Sequence, residues 1–358
     1  MVIDACLAMG FALAGIAPAE ATARRAEFLA WLAAGSHGDM DYLAEMVEER
    51  LDPRVLLPAA RAVIVVADQY AERGVGEAGE AGGATLSAAA PMGTIAKYAR
   101  GRDYHAVIRR RLHALCDRLR QIHPDQEFRA FVDTGPALER EHAARAGLGF
   151  IGKHTLLINP RLGSYLLLGG VATTLELAPA HSALGTQHSA LPSPCGTCTR
   201  CIDACPTRAI APYRVEATRC ISYLTLEHRG LIDPSLHTGI GDRVLGCDVC
   251  QDVCPFNHAH EDEGHPRVNP AYTDEADVRS GLPLLEVLGW TEPDRSRVLS
   301  GSAAKRANLS MIRRNALVAA ANANEPSLWP VIRRIAADAS EDALVRETAQ
   351  QVLAGRAG

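Results

Sequence analysis

The sequence predicts an α+β multidomain chain of three parts: an α/β N-terminal domain over residues 1–178, a cysteine-bearing domain over 179–265 and a helical domain over 266–358. Three observations point there. Helix-type and strand-type segments alternate up to about residue 175. Eight of the ten cysteines lie between residues 195 and 254. Beyond Pro266 there is no cysteine, and apolar residues recur at helical spacing. A chain of 358 residues is long enough for each part to bury a core.

In chain order, residues 5–17 (ACLAMGFALAGIA) imitate the apolar core of a signal peptide. Asp4 precedes them where a basic segment belongs, and Glu20, Arg24, Arg25 and Glu27 follow. We read a buried helix leading into a short strand, with no export signal. The β-branched run Arg61–Ala67 suits a buried strand. Residues 71–93, rich in Gly, Ala and Glu, have no apolar period and read as an insertion. Val107, Ile108, Leu112, Leu115, Leu119 and Ile122 predict a helix, with Cys116 on its apolar face as a core residue. Phe128–Asp133 and Gly163–Thr174 predict two further strands, and residues 176–194 a linker. Residues 303–322 and 327–354 carry helical periods, consistent with stacked hairpins of the HEAT type or with a plain bundle.

The first cysteine run is Cys195-x2-Cys198-x2-Cys201-x3-Cys205-Pro206, the bacterial ferredoxin spacing, in which the fourth thiolate serves the other cluster. The second is Cys247-x2-Cys250-x3-Cys254-Pro255, with Cys220 upstream. A mirrored assignment gives Cys195, Cys198, Cys201 and Cys254 to one 4Fe–4S cluster, and Cys205, Cys220, Cys247 and Cys250 to another. Paired C-x2-C motifs also build zinc ribbons, but two C-x3-C-P endings in one segment favour iron–sulfur. A disulfide framework belongs to short secreted chains, which this is not. About 280 residues surround the cysteine segment, more than a bare electron carrier needs.

Three stretches of the N-terminal part bear on what the electrons are for: KYARGRDYH at residues 97–105, VDTGPALER at 132–140 and AGLGFIGKHTLLI at 146–158. Gly147, Gly149 and Gly152 spell G-x-G-x-x-G and permit close approach of backbone to a ligand. The triplet does not directly follow a strand, and no acidic residue stands about twenty positions on in the expected context, so it is a weak dinucleotide fingerprint. With CGTCTRCIDACPTRAI, RCISYLT and GCDVCQDVCP, these stretches resemble the epoxyqueuosine reductase family, from about residue 40 to the C-terminus.

The resemblance implies a cobalamin-dependent iron–sulfur enzyme that reduces the epoxide of epoxyqueuosine, at the wobble position of tRNA, to the alkene of queuosine. It implies a cobalamin-binding N-terminal domain, a ferredoxin-like domain with two 4Fe–4S clusters and C-terminal HEAT-like repeats that help to hold tRNA. Asp133 matches the family's proton donor; by residue chemistry alone it is equally a turn aspartate bonding its own backbone near Gly135. Apolar neighbours Phe131 and Val132 are expected to raise its pKa and keep it protonated. Tyr104 and His105 are the substrate-binding candidates, or else simply open a helix after Asp103. Lys97, Arg140, Phe150, Lys153, His154, Thr155 and Ser222 are the cobalamin-binding candidates. Against that, the lysines read equally as solvated charges and Glu139–Arg140 as an ordinary helix pair. The family usually has Trp and Asn where this chain has Phe150 and His154, and the 71–93 insertion exceeds the family's pattern. No D-x-H-x-x-G motif offers an axial histidine to cobalt.

The net charge of −5 excludes a uniformly basic nucleic-acid binder but not a local basic face. Two groups could supply one: Lys97, Arg100, Arg102, Arg109, Arg110 and Arg111, and Lys305, Arg306, Arg313 and Arg314. The expected setting is a cytoplasmic monomer away from membranes, fed by an external low-potential electron donor. A corrinoid dehalogenase-like reductase of small molecules is the rival enzyme reading, and a ferredoxin-type carrier the non-enzymatic one.

Overall fold

The computed structural model describes residues 2–72, 74, 90–185, 194–258, 268–272 and 281–357. Most of the 71–93 insertion and the end of the 176–194 linker lie outside the described residues.

The N-terminal region is built on five strands: β1 Leu13–Pro18, β2 Ala62–Gln69, β4 Phe128–Phe131, β7 Leu166–Thr173 and β8 Ala180–His181, ordered β4-β7-β2-β1-β8. A helix, Val2–Ala8, does lead into β1. Every pairing in this sheet is antiparallel, with Ile64 opposite Ile16 on one side and Val171 on the other. The α/β expectation is therefore corrected to an antiparallel sheet covered by helices. Alternation of element types along a chain sets the layers, not the strand directions. The linker is also corrected in part, because Ala180 and His181 pair with β1 as an edge strand.

All eight residues of β2 are buried, since both faces of the sheet are covered. Ile64 and Val66 face a core completed by Ile108, Leu112, Leu115 and Cys116 of the long helix Tyr104–Ile122. Val63 and Val65 face a second core with Ala143, Leu148 and Leu168. The long helix starts on Asp103, whose side chain accepts the His105 N–H, and stops at His123, which Pro124 keeps out of helical backbone.

A second sheet joins three remote segments. Strand β3 Met92–Ile95 lies between the strands Arg243–Leu245 (parallel) and Gly281–Pro283 (antiparallel). Ile95, Val244, Leu245 and Leu282 share one core with the C-terminal helices. Those helices are Leu309–Ala323, Trp329–Ala337 and Ala343–Ala357. Asn308 caps the first by accepting the Met311 N–H, and Asn324 ends it in left-handed backbone.

Of the C-terminal basic group, Lys305 and Arg306 are exposed, but Arg313 and Arg314 do not form the basic face expected of them. Arg314 has no exposed surface and donates to the carbonyls of Leu224, His228 and Gly230. Arg313 forms a half-buried ion pair with Glu341. Both hold the helical tail in place and neither presents charge to a polyanion. A helical period cannot distinguish an arginine on a solvated face from one aimed at carbonyls of another segment.

Candidate active site

Strand β4 ends at Phe131, and Asp133 follows in left-handed backbone, φ 44°. Its carboxylate lies 3.0 Å from Nε2 of His105 and also takes a hydrogen bond from Tyr104. The imidazole is held from the other side. Asp103 accepts from His105 Nδ1 at 2.7 Å and from its backbone N–H at 3.1 Å, while Lys305 Nζ pairs with the second Asp103 oxygen at 3.1 Å. Tyr104 stacks on His105 with ring centroids 4.0 Å apart. The result is a line of alternating charge, Lys305–Asp103–His105–Asp133, ending at a carboxylate whose side chain is 46% exposed.

The electrostatics overturn one expectation. Burial pushes the Asp133 carboxyl up, but hydrogen bonds from His105 and Tyr104 and the charges of His105 and Arg306 outweigh it and leave it below the ordinary value. Burial pulls the His105 imidazole down, and its bonds to Asp103 and Asp133 more than offset that, raising it to about 9. At neutral pH the proton therefore resides on His105 and Asp133 is ionised. Apolar sequence neighbours could not reveal this, because the partner is 28 residues away. Behind the pair, burial and then the charge of Asp133 push Glu139 up to about 8.

The cysteines form no disulfide. Cys254 lies within the field of Cys195, Cys198 and Cys201, and burial with those neighbours pushes its thiol up to about 11. Cys250 lies within the fields of Cys247, Cys220 and Cys205, as well as that of Cys201, and burial raises it strongly. Thus the fold brings Cys254 back to the first three cysteines, and Cys205 forward to Cys220, Cys247 and Cys250. Crowded, buried thiolates are costly alone, and the iron of a cluster removes that cost; the donor set fits such a group.

The cobalamin candidates divide. The 146–158 stretch forms a hairpin, β5 Phe150–Ile151 and β6 Leu157–Ile158. Gly149 and Gly152 make room for the hairpin itself, and Gly147 follows the end of the preceding helix in left-handed backbone, φ 73°. A Cβ on Gly149 would meet the Ile158 carbonyl oxygen at 2.2 Å, and one on Gly152 the Ile158 side chain at 2.5 Å. Phe150 packs edge-on against Phe256, beside Cys254, and Lys153 Nζ donates to the carbonyls of Gly196 (2.8 Å) and Cys198 (2.9 Å). Lys97 is likewise engaged, with Asp252 and with Tyr165 Oη at 2.8 Å, while its N–H donates to Asp248. Both lysines tie the N-terminal region to the cysteine segment. Arg140 donates to the carbonyl and hydroxyl of Thr155, and Ser222 is half-buried beside Cys220. His154 is buried, its Nε2 has no hydrogen-bond partner, and burial holds it down at about 4.

Sequence reasoning passed over Asp103 and Glu139, reading them as a helix cap and half of a helix pair. It also missed Glu227, and read Arg306 only as part of a basic group; the two form an ion pair whose field reaches Asp133. Only the spacing Asp103-x-His105 was a local signal.

Fold and site define an iron–sulfur oxidoreductase: residues 194–257 match the "4Fe-4S double cluster binding domain". Residues 50–134 match the family described as "Epoxyqueuosine reductase QueG, DUF1730". The chain is 38% identical over 331 residues to the epoxyqueuosine reductase of Pseudomonas aeruginosa, covering 92% of this chain and 86% of that one. A solved epoxyqueuosine reductase bound to an epoxyqueuosine-modified tRNA-Tyr stem loop superposes with a TM-score of 0.81 at 27% identity, over 98% of this chain and 88% of that one. The Bacillus subtilis enzyme, solved with its catalytic aspartate loop swung out of the active site, superposes at 0.79 and 26% identity, over 98% and 89%. This chain belongs to the epoxyqueuosine reductase family.

Proposed function

We propose that this chain reduces epoxyqueuosine at the wobble position of tRNA to queuosine, the last step in making that nucleoside. The observation that carries the reading is His105 set between Asp103 and Asp133, 3.0 Å from the Asp133 carboxylate, in a chain whose relatives bear this activity by name. Opening an epoxide to an alkene consumes two electrons and two protons and releases the oxygen as water. The oxygen that leaves needs a positioned acid. His105 stores a proton at neutral pH, and Asp133 is the half-exposed group through which it reaches substrate. Tyr104 and His105 orient the nucleoside.

Two 4Fe–4S clusters, held by Cys195, Cys198, Cys201 and Cys254 and by Cys205, Cys220, Cys247 and Cys250, are the proposed entry for electrons from an external low-potential donor. Lys97, Arg140, Phe150, Lys153, His154, Thr155 and Ser222 are the proposed cobalamin contacts. The buried, unpartnered His154 Nε2 fits an amide of a corrin's fringe. Bound there, cobalamin would supply the low-potential metal chemistry that C–O cleavage demands. We assign residues 1–178 to catalysis, 179–265 to the clusters and 266–358, as HEAT-like repeats, to tRNA contact, in a cytoplasmic monomer. No helix among the described residues is long and apolar enough to cross a membrane.

The test is anaerobic reconstitution followed by turnover of epoxyqueuosine-containing tRNA. The expected result is about eight irons and eight acid-labile sulfides per chain, with queuosine as product. Stoichiometric zinc, or no reduction with an intact iron complement, would overturn the reading.

A further inference from the structure

We infer that Glu139 is a positioning residue for the reduction: its carboxyl oxygen holds the Asp133 backbone in the left-handed turn that keeps the Asp133 carboxylate against His105. The inference rests on the reading above that Asp133 serves the reaction.

Left-handed backbone is unfavourable for a residue with a Cβ and persists only where its surroundings impose it. The Asp133 N–H donates to Glu139 Oε1 at 2.6 Å, and that bond is the imposing contact. Beyond the carboxylate's own bonds to His105 and Tyr104, the turn is held by the Thr134 hydroxyl to the Val132 carbonyl at 3.3 Å, Gly135 N–H to the same carbonyl at 3.4 Å and Ala137 N–H to the Gly135 carbonyl at 2.9 Å. A cavity of about 150 Å³, lined by Phe131, Val132, Thr134, Gly135 and Pro136 with Arg109 and Arg129, undercuts the turn. The turn therefore lacks packing on that side and has room to relax.

Glu139 itself is well anchored. It opens the helix Glu139–Arg145, whose His142 and Ala143 are buried against the sheet. The groups facing its carboxyl are Asp133, His105, Arg140 and Tyr104. Beside the ionised Asp133 the carboxyl stays protonated at neutral pH and still offers one carbonyl-type oxygen. A glutamine offers the same oxygen; a leucine offers none.

The experiment compares E139L and E139Q with wild type in the reconstituted holoprotein, by amide hydrogen exchange across residues 131–138 and by turnover of epoxyqueuosine-containing tRNA. We expect exchange at Asp133 to be faster in E139L and unchanged in E139Q. Turnover should fall between about tenfold and a hundredfold in E139L, the usual loss for a misplaced catalytic group, and stay within about threefold in E139Q. Cluster absorbance controls for folding, and E139S, too short to reach, replaces E139L if that variant loses its clusters. Unchanged exchange in E139L would overturn the inference. So would E139Q turning over as slowly as E139L with protected exchange, because the proton of Glu139 would then matter rather than its position. An inactive wild type with the expected exchange pattern would overturn the functional reading and leave the positioning role intact.

Discussion

The proton between Asp133 and His105 sits on the imidazole at neutral pH. Asp133→Asn keeps size and most hydrogen bonds but cannot hold or pass an acidic proton. We expect normal iron content and turnover lower by on the order of a hundredfold, measured in single-turnover assays. Near wild-type rates would mean that His105 reaches substrate directly. The imidazole, raised from 6.5 to about 9, sets an alkaline limit. Activity should fall as pH passes about 9. Its contribution to stability should be complete below 6.5 and lost between 6.5 and about 9, because the folded state binds this proton more tightly than the unfolded state. Asp103, held down at about 2 by the hydrogen bond to His105, maintains that shift against burial together with Asp133. Asp103→Asn should therefore move the alkaline limb of the pH–rate profile to lower pH while leaving the iron content unchanged.

At the scale of elements, the β5–β6 hairpin meets both cysteine runs, the second through Phe150 on Phe256 and the first through Lys153 on the Gly196 and Cys198 carbonyls. Gly149→Ala forces a methyl against the Ile158 carbonyl. It should destabilise the protein by about 1–3 kcal/mol in urea unfolding, the usual range for overpacking. The cysteine segment crosses over itself, since Cys254 shares its field with Cys195, Cys198 and Cys201. Cys254→Ala should accordingly damage the upstream cluster. Loss confined to the cluster held by Cys247 and Cys250, read by electron paramagnetic resonance, would refute the crossed assignment.

For the whole molecule, the helical tail is fastened through Arg314, whose guanidinium serves three carbonyls of the 224–230 segment. Arg314→Leu leaves the buried Leu224 carbonyl and the part-buried His228 and Gly230 carbonyls without this donor and should cost about 3 kcal/mol or more in unfolding free energy. Exposed basic charge lies elsewhere. Arg102, Arg110 and Lys305 border a cleft of about 400 Å³ between the start of the long helix and the 300–305 turn, beside Asp103. Replacing Arg110 and Lys305 together should flatten the salt dependence of tRNA binding by about one to two units of slope, whereas Arg313→Ala should leave it unchanged.

Sequence alone could determine what is local. The cysteine spacing, the buried strand near residues 61–67 and the amphipathic helix from Val107 to Ile122 depend on neighbours within a few residues, so their patterns are readable in one dimension. Asp133 was legible only through its surrounding motif. Strand direction, the joining of β3 to segments near residues 243 and 281, and the burial of Arg314 depend on partners far along the chain. The same is true of the proton. A carboxyl flanked by Phe131 and Val132 looks neutral in sequence, and becomes an anion because folding brings an imidazole within 3.0 Å. Periodicity shows which face of an element is apolar; only the tertiary structure supplies the charge or carbonyl that a polar side chain meets there.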